Sequence, residues 1–218
     1  VKANLIGTAT IENVIKNAII SLMAAVTVAG DSGAAVNVSL LWDGLDAKVS
    51  IGNNTEIKAG RDITVRTNAD SRVINALLSC AASGTGAAGV TLYYNELHRK
   101  AVVSIGNAVK LTGTSNSYID DNGKTVTKNG NILVESTGKE WTLIAGAAFA
   151  AGKGATLSGN NGYTNARSEY RVEAGHGCEF TADDSIAFYA HLDQSDYIIA
   201  GALAVGTGSA SLGEIVSV

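Results

Sequence analysis

The sequence contains no proline among its 218 residues, where average usage predicts roughly eleven. Proline lacks the backbone N–H that a sheet ladder requires, and it is therefore kept out of the interior of most sheets. The sequence is also rich in glycine, with 25 residues that mark turns between periodic segments. This composition favours a chain whose backbone is hydrogen-bonded to neighbouring strands along most of its length.

Cysteine and charge are scarce as well. The two cysteines, Cys80 and Cys178, show neither a disulfide framework nor the spacing of metal ligands. A net charge of −4 argues against nucleic acid or an anionic membrane as a partner. The longest apolar run, 18–29, is interrupted by polar residues and is too short to span a bilayer. We therefore expect no membrane insertion of this segment. Because Val1 opens in the middle of a pattern, the chain is expected to be a piece of a longer protein.

What the sequence does contain is a repeat. The stretch VSIGNNTEIKAGRDITV (49–65) returns as VSIGNAVKLTG from Val103 and as YRVEAGHGCEFTADDSIAF from Tyr170. Alignment of the chain with itself predicts columns of equivalent residues: Val49, Val103 and Val172; Gly52, Gly106 and Gly175; Ile57, Leu111 and Phe180; Ile63, Ile132 and Ile186; Val73, Leu143 and Ile198.

Four apolar segments, which begin at Ala18, Ala76, Gly146 and Gly201, divide the chain into units near 18–75, 76–145 and 146–200, with partial units at both ends. The whole chain, 1–218, is thus predicted to be one continuous array with a period of about 55 residues. The middle unit is longer because of an insertion at 116–130. A single insertion in a regular array predicts a loop on one face.

Local periodicity predicts strands. The stretches DITV, NILV and SIAF alternate polar and apolar residues, which is typical of strands with one buried face. The turn residues between them predict short strands of roughly four to six residues. The Ala-rich segments have a composition that also suits helices. Strands are favoured because Ile20, Leu22, Ala24, Val26 and Val28 keep one parity and because the later copies contain glycine, which is a poor helix former.

The predicted fold class is all-β, and the predicted architecture is a single-stranded parallel β-helix (β-solenoid). A sandwich or a barrel would also fit short strands, but self-similarity at a fixed spacing favours the solenoid. Each unit is expected to hold two or three coils of roughly 18 to 27 residues. Ile, Leu and Phe are expected inside and Thr, Lys and Asn outside, while small residues such as Ala148 and Ala150 let opposite walls approach closely.

The pattern VSIGNNTEIKAGRDITVRT, the Ala- and Gly-rich runs and KNGNILVEST resemble the passenger repeats of large secreted bacterial filamentous adhesins. These are the haemagglutinin-like and leukotoxin-like proteins that two-partner secretion or autotransporter routes export. The resemblance covers essentially the whole chain. It implies a right-handed parallel β-helix, secreted or held on the surface of a Gram-negative cell, with a role in virulence. It carries no catalytic residue over to this chain.

Two motifs suggest cofactors or metals and are better explained by structure. The stretch Gly84–Gly89 reads G-x-G-x-x-G, but VTLYYNE after it predicts a strand, so it is interpreted as a turn and not as a dinucleotide site. His176 and Cys178 lie two residues apart and on a strand would point the same way, although a metal site would need further ligands. We expect no cofactor and no metal.

Adjacent carboxylates raise the possibility of an enzyme. Glycosidases use two carboxylates at a fixed separation, but aspartates near glycine are common in turns. The alternative hypothesis is a β-helix polysaccharide lyase or glycoside hydrolase. It requires that Asp183, Asp184 and a basic residue such as Arg167 or Arg171 converge in one groove, whereas the other adjacent pair, Asp120 and Asp121, is interpreted as part of a turn. We assign no catalytic residue and expect that the chain is not an enzyme.

The favoured function is that of a non-catalytic stalk or adhesin segment, a rigid rod that offers a possible contact surface. Its expected partners are flanking solenoid repeats of the same chain and a host-cell glycan or protein receptor. Function gathers in loops on rigid scaffolds, so the insertion is the candidate contact loop, with Tyr118, Asp120, Asp121 and Lys124. A third hypothesis, a glycan-binding module, requires exposed aromatics aligned outside the coil, drawn from Trp42, Tyr93, Tyr94 and Trp141.

Overall fold

The computed structural model describes residues 1–119, 121–207 and 211–217. Strands make up 82% of the described residues, which contain no helix, and this confirms the all-β prediction. No described segment forms a helix that could cross a membrane. The strands are β1 (Lys2–Leu5), β2 (Ala9–Ala29), β3 (Ser32–Ile51), β4 (Glu56–Ala59), β5 (Ile63–Ser83), β6 (Gly86–Ile105), β7 (Lys110–Gly113), β8 (Asn116–Ile119), β9 (Thr125–Lys128), β10 (Ile132–Gly152), β11 (Thr156–Ala174), β12 (Glu179–Ala182), β13 (Ile186–Gly206) and β14 (Ser211–Ser217).

Three parallel four-stranded sheets form the body of the molecule. The short sheet has the order β1-β4-β7-β12, the first long sheet β2-β5-β10-β13 and the second long sheet β3-β6-β11-β14. The chain therefore visits the short sheet, the first long sheet and the second long sheet in turn, four times over. The two long sheets contact each other face to face along their length. This arrangement is compatible with a β-helix.

The register of the sheets shows the true repeat. Ile63 pairs with Ala9 on one side and with Ile132 on the other, and Ile132 pairs with Ile186. Along the first long sheet, equivalent residues in the first two repeats are 54 apart, as are those in the last two, whereas those in the two middle repeats are 69 apart. The insertion accounts for the longer middle interval.

The strands are much longer than expected. Those of the long sheets, β14 excepted, have 19 to 21 residues, and each repeat is one passage through the three sheets. The prediction of two or three coils in each unit is therefore wrong. Polar residues such as Asn75 and Ser79 resemble turn signals in the sequence. They lie instead in the middle of β5, where their side chains bond to other residues of the interior or to backbone.

Most predicted columns are confirmed, and two are wrong. Val49, Ile57 and Ile63 each pair in register with the predicted partners in the later repeats. In contrast, Ala76 pairs with Leu22 and Ala145, so the Ala-rich segments do not start in one column. In the column predicted from Val73 the partner is displaced by one residue, because Val73 pairs with Thr142 and not with Leu143. Strand alternation cannot set this register where both faces carry small or apolar side chains.

The turns that lead from the second long sheet to the short sheet share one backbone conformation in successive repeats. Gly106 N–H donates to Ile51 O at 2.8 Å, which confirms the predicted glycine column. Two residues after each column glycine the backbone is left-handed, with φ of 55° at Asn54, 53° at Ala108 and 67° at Gly177. Asparagine and glycine tolerate this conformation, and alanine does so at a cost.

The interior next to the short sheet is apolar, as predicted. Its buried side chains are Val49, Ile51, Ile57, Ile63, Val65, Val103, Ile105, Val109, Leu111, Ile132 and Val134, with Phe180 and Cys178 packed against them. Burial of such surface stabilises by about 25 cal/mol per Å². This cluster is the main apolar core of the molecule.

Between the long sheets, farther from the short sheet, the predicted pattern is partly inverted. Asn75 and Asn95 are fully buried, and Asn75 Nδ2 donates to Asn95 Oδ1 at 2.8 Å. Leu22 and Val28 instead point outward, with exposed fractions of 71% and 81%. The expectation of Asn and Thr outside is wrong here. The expectation of large aliphatics inside holds only in part, for side chains such as Leu77, Leu97 and Ile144. Small side chains such as Ala150, which is fully buried, let the two sheets approach closely, and hydrogen bonds satisfy most of the buried polar groups.

The insertion at 116–130 forms an antiparallel hairpin of β8 and β9. Ser117 and Thr127 are hydrogen-bonded across it at 2.8 Å. Asn116 Nδ2 donates to Ile6 O at 3.1 Å, which ties the base of the hairpin to the first repeat.

Candidate functional site

The strand β6 presents a polar and aromatic sequence, YYNELHRK (93–100), on two faces. Tyr94, Glu96 and His98 point outward from the second long sheet, because successive side chains on a strand alternate. Tyr93 and Arg99, of the opposite parity, are buried between the long sheets. The outer set and the inner set form two separate clusters.

The outer face of the second long sheet carries an aromatic surface, which consists of Trp42, Tyr94 and Tyr163. Tyr94 and Tyr163 pair in register, and their rings stack with centroids 5.2 Å apart and planes at 18°. Trp42 lies on the neighbouring strand β3, with its ring centroid 5.9 Å from that of Tyr94 and tilted by 46°. It is 64% exposed. Three strands therefore contribute one aromatic surface that faces solvent.

A carboxylate fixes the polar end of this surface. Glu96 Oε2 accepts a hydrogen bond from Tyr94 Oη at 2.9 Å. Glu96 Oε1 accepts one from Asn165 Nδ2 at 2.6 Å, and His98 Nε2 lies 2.9 Å from the same oxygen. The bonds from His98 and Tyr94 lower the pKa of Glu96, while the bond to Glu96 raises the pKa of Tyr94. Glu96 therefore stays ionised and Tyr94 stays protonated, which holds the tyrosine ring in place.

A cleft of about 540 Å³ continues from this polar end. Gly44, His98 and Arg167 occupy one row across the three strands, and a Cβ on Gly44 would meet nothing within 4 Å. The cleft is therefore open because Gly44 has no side chain in that row. Lys100 and Glu169, which also line it, form an ion pair at 3.2 Å. The aromatic surface, Glu96 and the cleft together offer stacking, acceptor and cationic groups to one ligand.

Behind the cleft lies a buried charge cluster. Arg99 Nη1 donates to Glu140 Oε2 at 3.0 Å, and Arg99 Nη2 donates to Thr142 Oγ1 at 3.1 Å. Arg99 Nε lies 3.7 Å from Asp43 Oδ2. The side chains of Arg99 and Glu140 are 0% exposed and that of Asp43 is 1% exposed. One guanidinium thus joins carboxylates from the repeats on either side of it.

The same carboxylates accept further bonds from the interior. Ser168 Oγ and Tyr170 Oη donate to Glu140 at 2.7 Å and 2.8 Å, and Asn17 Nδ2 donates to Asp43 at 2.7 Å. Burial and the bond to Glu140 raise the pKa of Tyr170. Because its charged groups are enclosed and bonded to one another, the cluster holds the two long sheets together and presents no reactive group to solvent.

The predicted contact loop lies on the hairpin. The guanidinium of Arg61 lies over the Tyr118 ring, 4.5 Å from its centroid. Asp121 and Lys124 are exposed. Asp120 lies outside the described residues. The contact role of this loop stays a prediction.

The residues required by the enzyme hypothesis lie in different surroundings. Asp183 is at the turn between β12 and β13, where the backbone N–H of Ser115 donates to it and lowers its pKa. At the same turn the backbone N–H of Asp184 donates to Gly130 O. Arg167 lines the cleft on the second long sheet, and Arg171 pairs with the neighbouring Glu169 and Glu173. The carboxylate of Asp183 is therefore bound to Ser115 and the guanidinium of Arg171 to glutamates, and not to one another.

The two motifs weighed as cofactor or metal sites lie at turns. Gly84 and Thr85 form the bend between β5 and β6, as the turn interpretation predicts, whereas residues 86–89 already belong to β6. His176 is exposed, and Cys178 Sγ donates to Gly106 O at 3.1 Å beside the apolar core, so their expected common direction is wrong. The left-handed Gly177 between them turns the chain. Across residues 1–119, 121–207 and 211–217, no group of three or more His, Cys, Asp and Glu side chains has metal-site geometry.

Of the four aromatics considered for glycan binding, Trp42 and Tyr94 line up outside. Tyr93 is buried, and Trp141 lies on the first long sheet beneath Arg72, 5.0 Å away. The sequence interpretation missed Tyr163, which only the offset of 69 residues brings opposite Tyr94. Comparison of the chain with protein-family models, curated proteins and solved structures found no match.

Proposed function

We propose that the chain is a segment of a right-handed parallel β-helix that serves as a non-catalytic rod in a large exported bacterial surface protein. The rod holds other parts of that protein away from the cell, and the segment is secreted or lies outside the outer membrane. Its partners are flanking repeats of the same kind. The adhesin-like pattern VSIGNNTEIKAGRDITV supports this assignment at the level of sequence.

The in-register stacking of four successive repeats carries the proposal. Ile57, Leu111 and Phe180 lie above one another in adjacent strands of the short sheet, and the long sheets keep their register over 19 to 21 residues. Within the described residues, each parallel sheet has an open edge on both sides. A further repeat of the same kind can pair with either edge, as in other solenoids. Right-handed connections are the rule for parallel strands within one sheet.

Stretching of single molecules tests the rod. Each repeat of 54 residues that detaches releases about 190 Å of extended chain, and the repeat that carries the hairpin about 250 Å. We expect stepwise unravelling with these two increments. Increments unrelated to the repeat would contradict the proposed architecture. Release of unsaturated or reducing ends from acidic polysaccharides would instead favour the lyase or hydrolase alternative.

A second candidate function is contact with a glycan through the aromatic surface. One specific observation favours it, namely that Trp42, Tyr94 and Tyr163 form an exposed aromatic surface beside Glu96 and the cleft. Sugar rings stack on aromatic faces, and carboxylates and arginines bind their hydroxyl groups. Arg167 in the cleft supplies a cation for an acidic sugar.

A glycan array followed by titration calorimetry tests this contact. For a glycan that binds the chain, Trp42→Ala should weaken affinity about tenfold, the equivalent of one stacking contact. Trp141→Ala is the matched control, because that tryptophan lies on the outer face of the other long sheet. Equal losses in both variants, or binding that only hairpin substitutions such as Tyr118→Ala abolish, would place the contact elsewhere.

A further inference from the structure

The first long sheet has an outer face without any charged side chain over half its length. The outward residues are the alternate positions of 20–28, 74–82, 143–151 and 197–205, which pair row by row across β2, β5, β10 and β13. All are Ile, Leu, Val, Ala, Phe, Cys, Tyr or Gly. Hereafter this surface is called the apolar face.

The inverted interior explains why the apolar face exists. In the same strand segments the inward positions include Asn75 and Ser79, which are buried and hydrogen-bonded. Most of the large aliphatic side chains of these segments therefore point to solvent, although Leu77 and Ile144 are buried. Leu22, Ile199 and Leu203 are 71%, 60% and 55% exposed. Strand alternation enforces this arrangement as long as the polar interior is kept.

The size of the apolar face suits a stable interface. Four strands and five rows at sheet spacing cover about 19 Å by 33 Å, or roughly 600 Å² in projection. The largest apolar patches on ordinary monomers reach about 300–600 Å², and a standard interface buries about 800 Å² of accessible surface per partner. A corrugated surface has a larger accessible area than its projection, so the apolar face reaches the range of an interface.

The apolar face is also corrugated. In the row of Leu22 the two middle strands carry alanines, whereas the outer strands carry Leu22 and Ile199. In the next row a middle strand carries Leu78 and an outer strand carries Gly201. A depression of about 270 Å³ lies between Leu22 and Ala76. Large side chains at the β2 edge of one copy can therefore pack into this depression of another.

We propose that two copies of the chain associate face to face through the apolar face. A two-fold axis brings the β2 ridge of each copy over the middle strands of its partner, with the sheets about 10 Å apart as in β-sandwiches. The border of the apolar face carries charges of both signs, with Lys16 paired beside Asp70 and Lys139 beside Asp193. Such a border does not favour an anionic membrane.

Sedimentation velocity on the whole chain tests the dimer over a wide concentration range. Leu22→Glu should raise the dimer dissociation constant about tenfold or more, because each dimer would bury two unpaired carboxylates. Leu40→Glu is the matched control, since Leu40 is 63% exposed on the outer face of the other long sheet. We expect this control to dimerise as the unaltered chain does. Circular dichroism verifies that both variants keep their strands.

Any one of four results would overturn the proposal. The first is a chain that is monomeric at every concentration, and the second is association that survives Leu22→Glu, as it would if open sheet edges caused it. The third is a greater loss of association in Leu40→Glu than in Leu22→Glu. The fourth is binding of anionic-lipid vesicles by the chain but not by the Leu22→Glu variant. Alkylation of Cys80, which lies on the apolar face, provides an independent measurement in a Cys178→Ser background. Its rate should rise on dilution if the dimer covers it.

Discussion

Replacement of Glu140 by glutamine tests whether the buried charge cluster stabilises the packing of the two long sheets. Glutamine keeps the shape of the side chain but removes the charge opposite Arg99. The charge-assisted bond from Arg99 contributes about 1.5–3 kcal/mol, and a glutamine NH2 group facing the Tyr170 hydroxyl loses about 1 kcal/mol more. We therefore expect the free energy of unfolding to fall by about 2.5–4 kcal/mol, which overlaps the range of about 3–5 kcal/mol for breaking a buried ion pair.

Urea unfolding followed by circular dichroism measures this loss. The matched control is Glu169→Gln. Like Glu140, Glu169 forms ion pairs, in its case with Lys100 and Arg171, each at 3.2 Å. Its side chain is 44% exposed, whereas that of Glu140 is 0% exposed. An exposed pair contributes less than about 1 kcal/mol, and salt weakens it further. A loss at Glu140 no greater than that at Glu169 would refute the view that the cluster stabilises the sheet packing.

Two further predictions concern the interior. Gly162→Ala should lower the free energy of unfolding by about 1–3 kcal/mol or more, because a Cβ there would overlap the ring of Tyr93. Gly159→Ala on the same strand is the control, because a Cβ there meets open space, and it should raise the free energy of unfolding by about 0.5 kcal/mol. Urea unfolding measures both changes. Burial raises the pKa of Tyr170 in the folded state, so its contribution is full below the unfolded value of about 10 and is lost at higher pH. Tyr170→Phe should therefore flatten the alkaline fall in stability, and an unchanged slope would contradict this.

The correctly predicted columns are those in which one face of each strand is apolar and the other polar. Ile57 and Ile63 lie beside the short sheet, where turns with Gly52 limit how far the register can slip. The predicted register of the Ala-rich segments was wrong because small residues occupy both faces of these strands. Two alignments that differ by a shift of a few residues then match equally well. For the same reason the sequence could not show that Asn75 faces inward and Leu22 outward.

Part of the candidate site could have been predicted from the sequence and part could not. Alternation along YYNELHRK places Tyr94 and Tyr93 on opposite faces of the strand, and this separation could have been found from the sequence. The meeting of Trp42 with Tyr94 and Tyr163 depends on register across three strands. The pairing of Arg99 with Glu140 and Asp43 depends on the distance between two sheets. No local pattern encodes either relationship.

By itself, the amino-acid sequence determined the strand content, the repetition and the place of the insertion, because these follow from backbone preferences and local side-chain periodicity. Only the tertiary structure decided how long each strand runs and which face of the long strands meets the other sheet. The physical reason is that a slab of two sheets can be closed by small hydrogen-bonding side chains as well as by aliphatic ones. The choice between them depends on how closely the opposite sheet approaches, and no single strand contains that information.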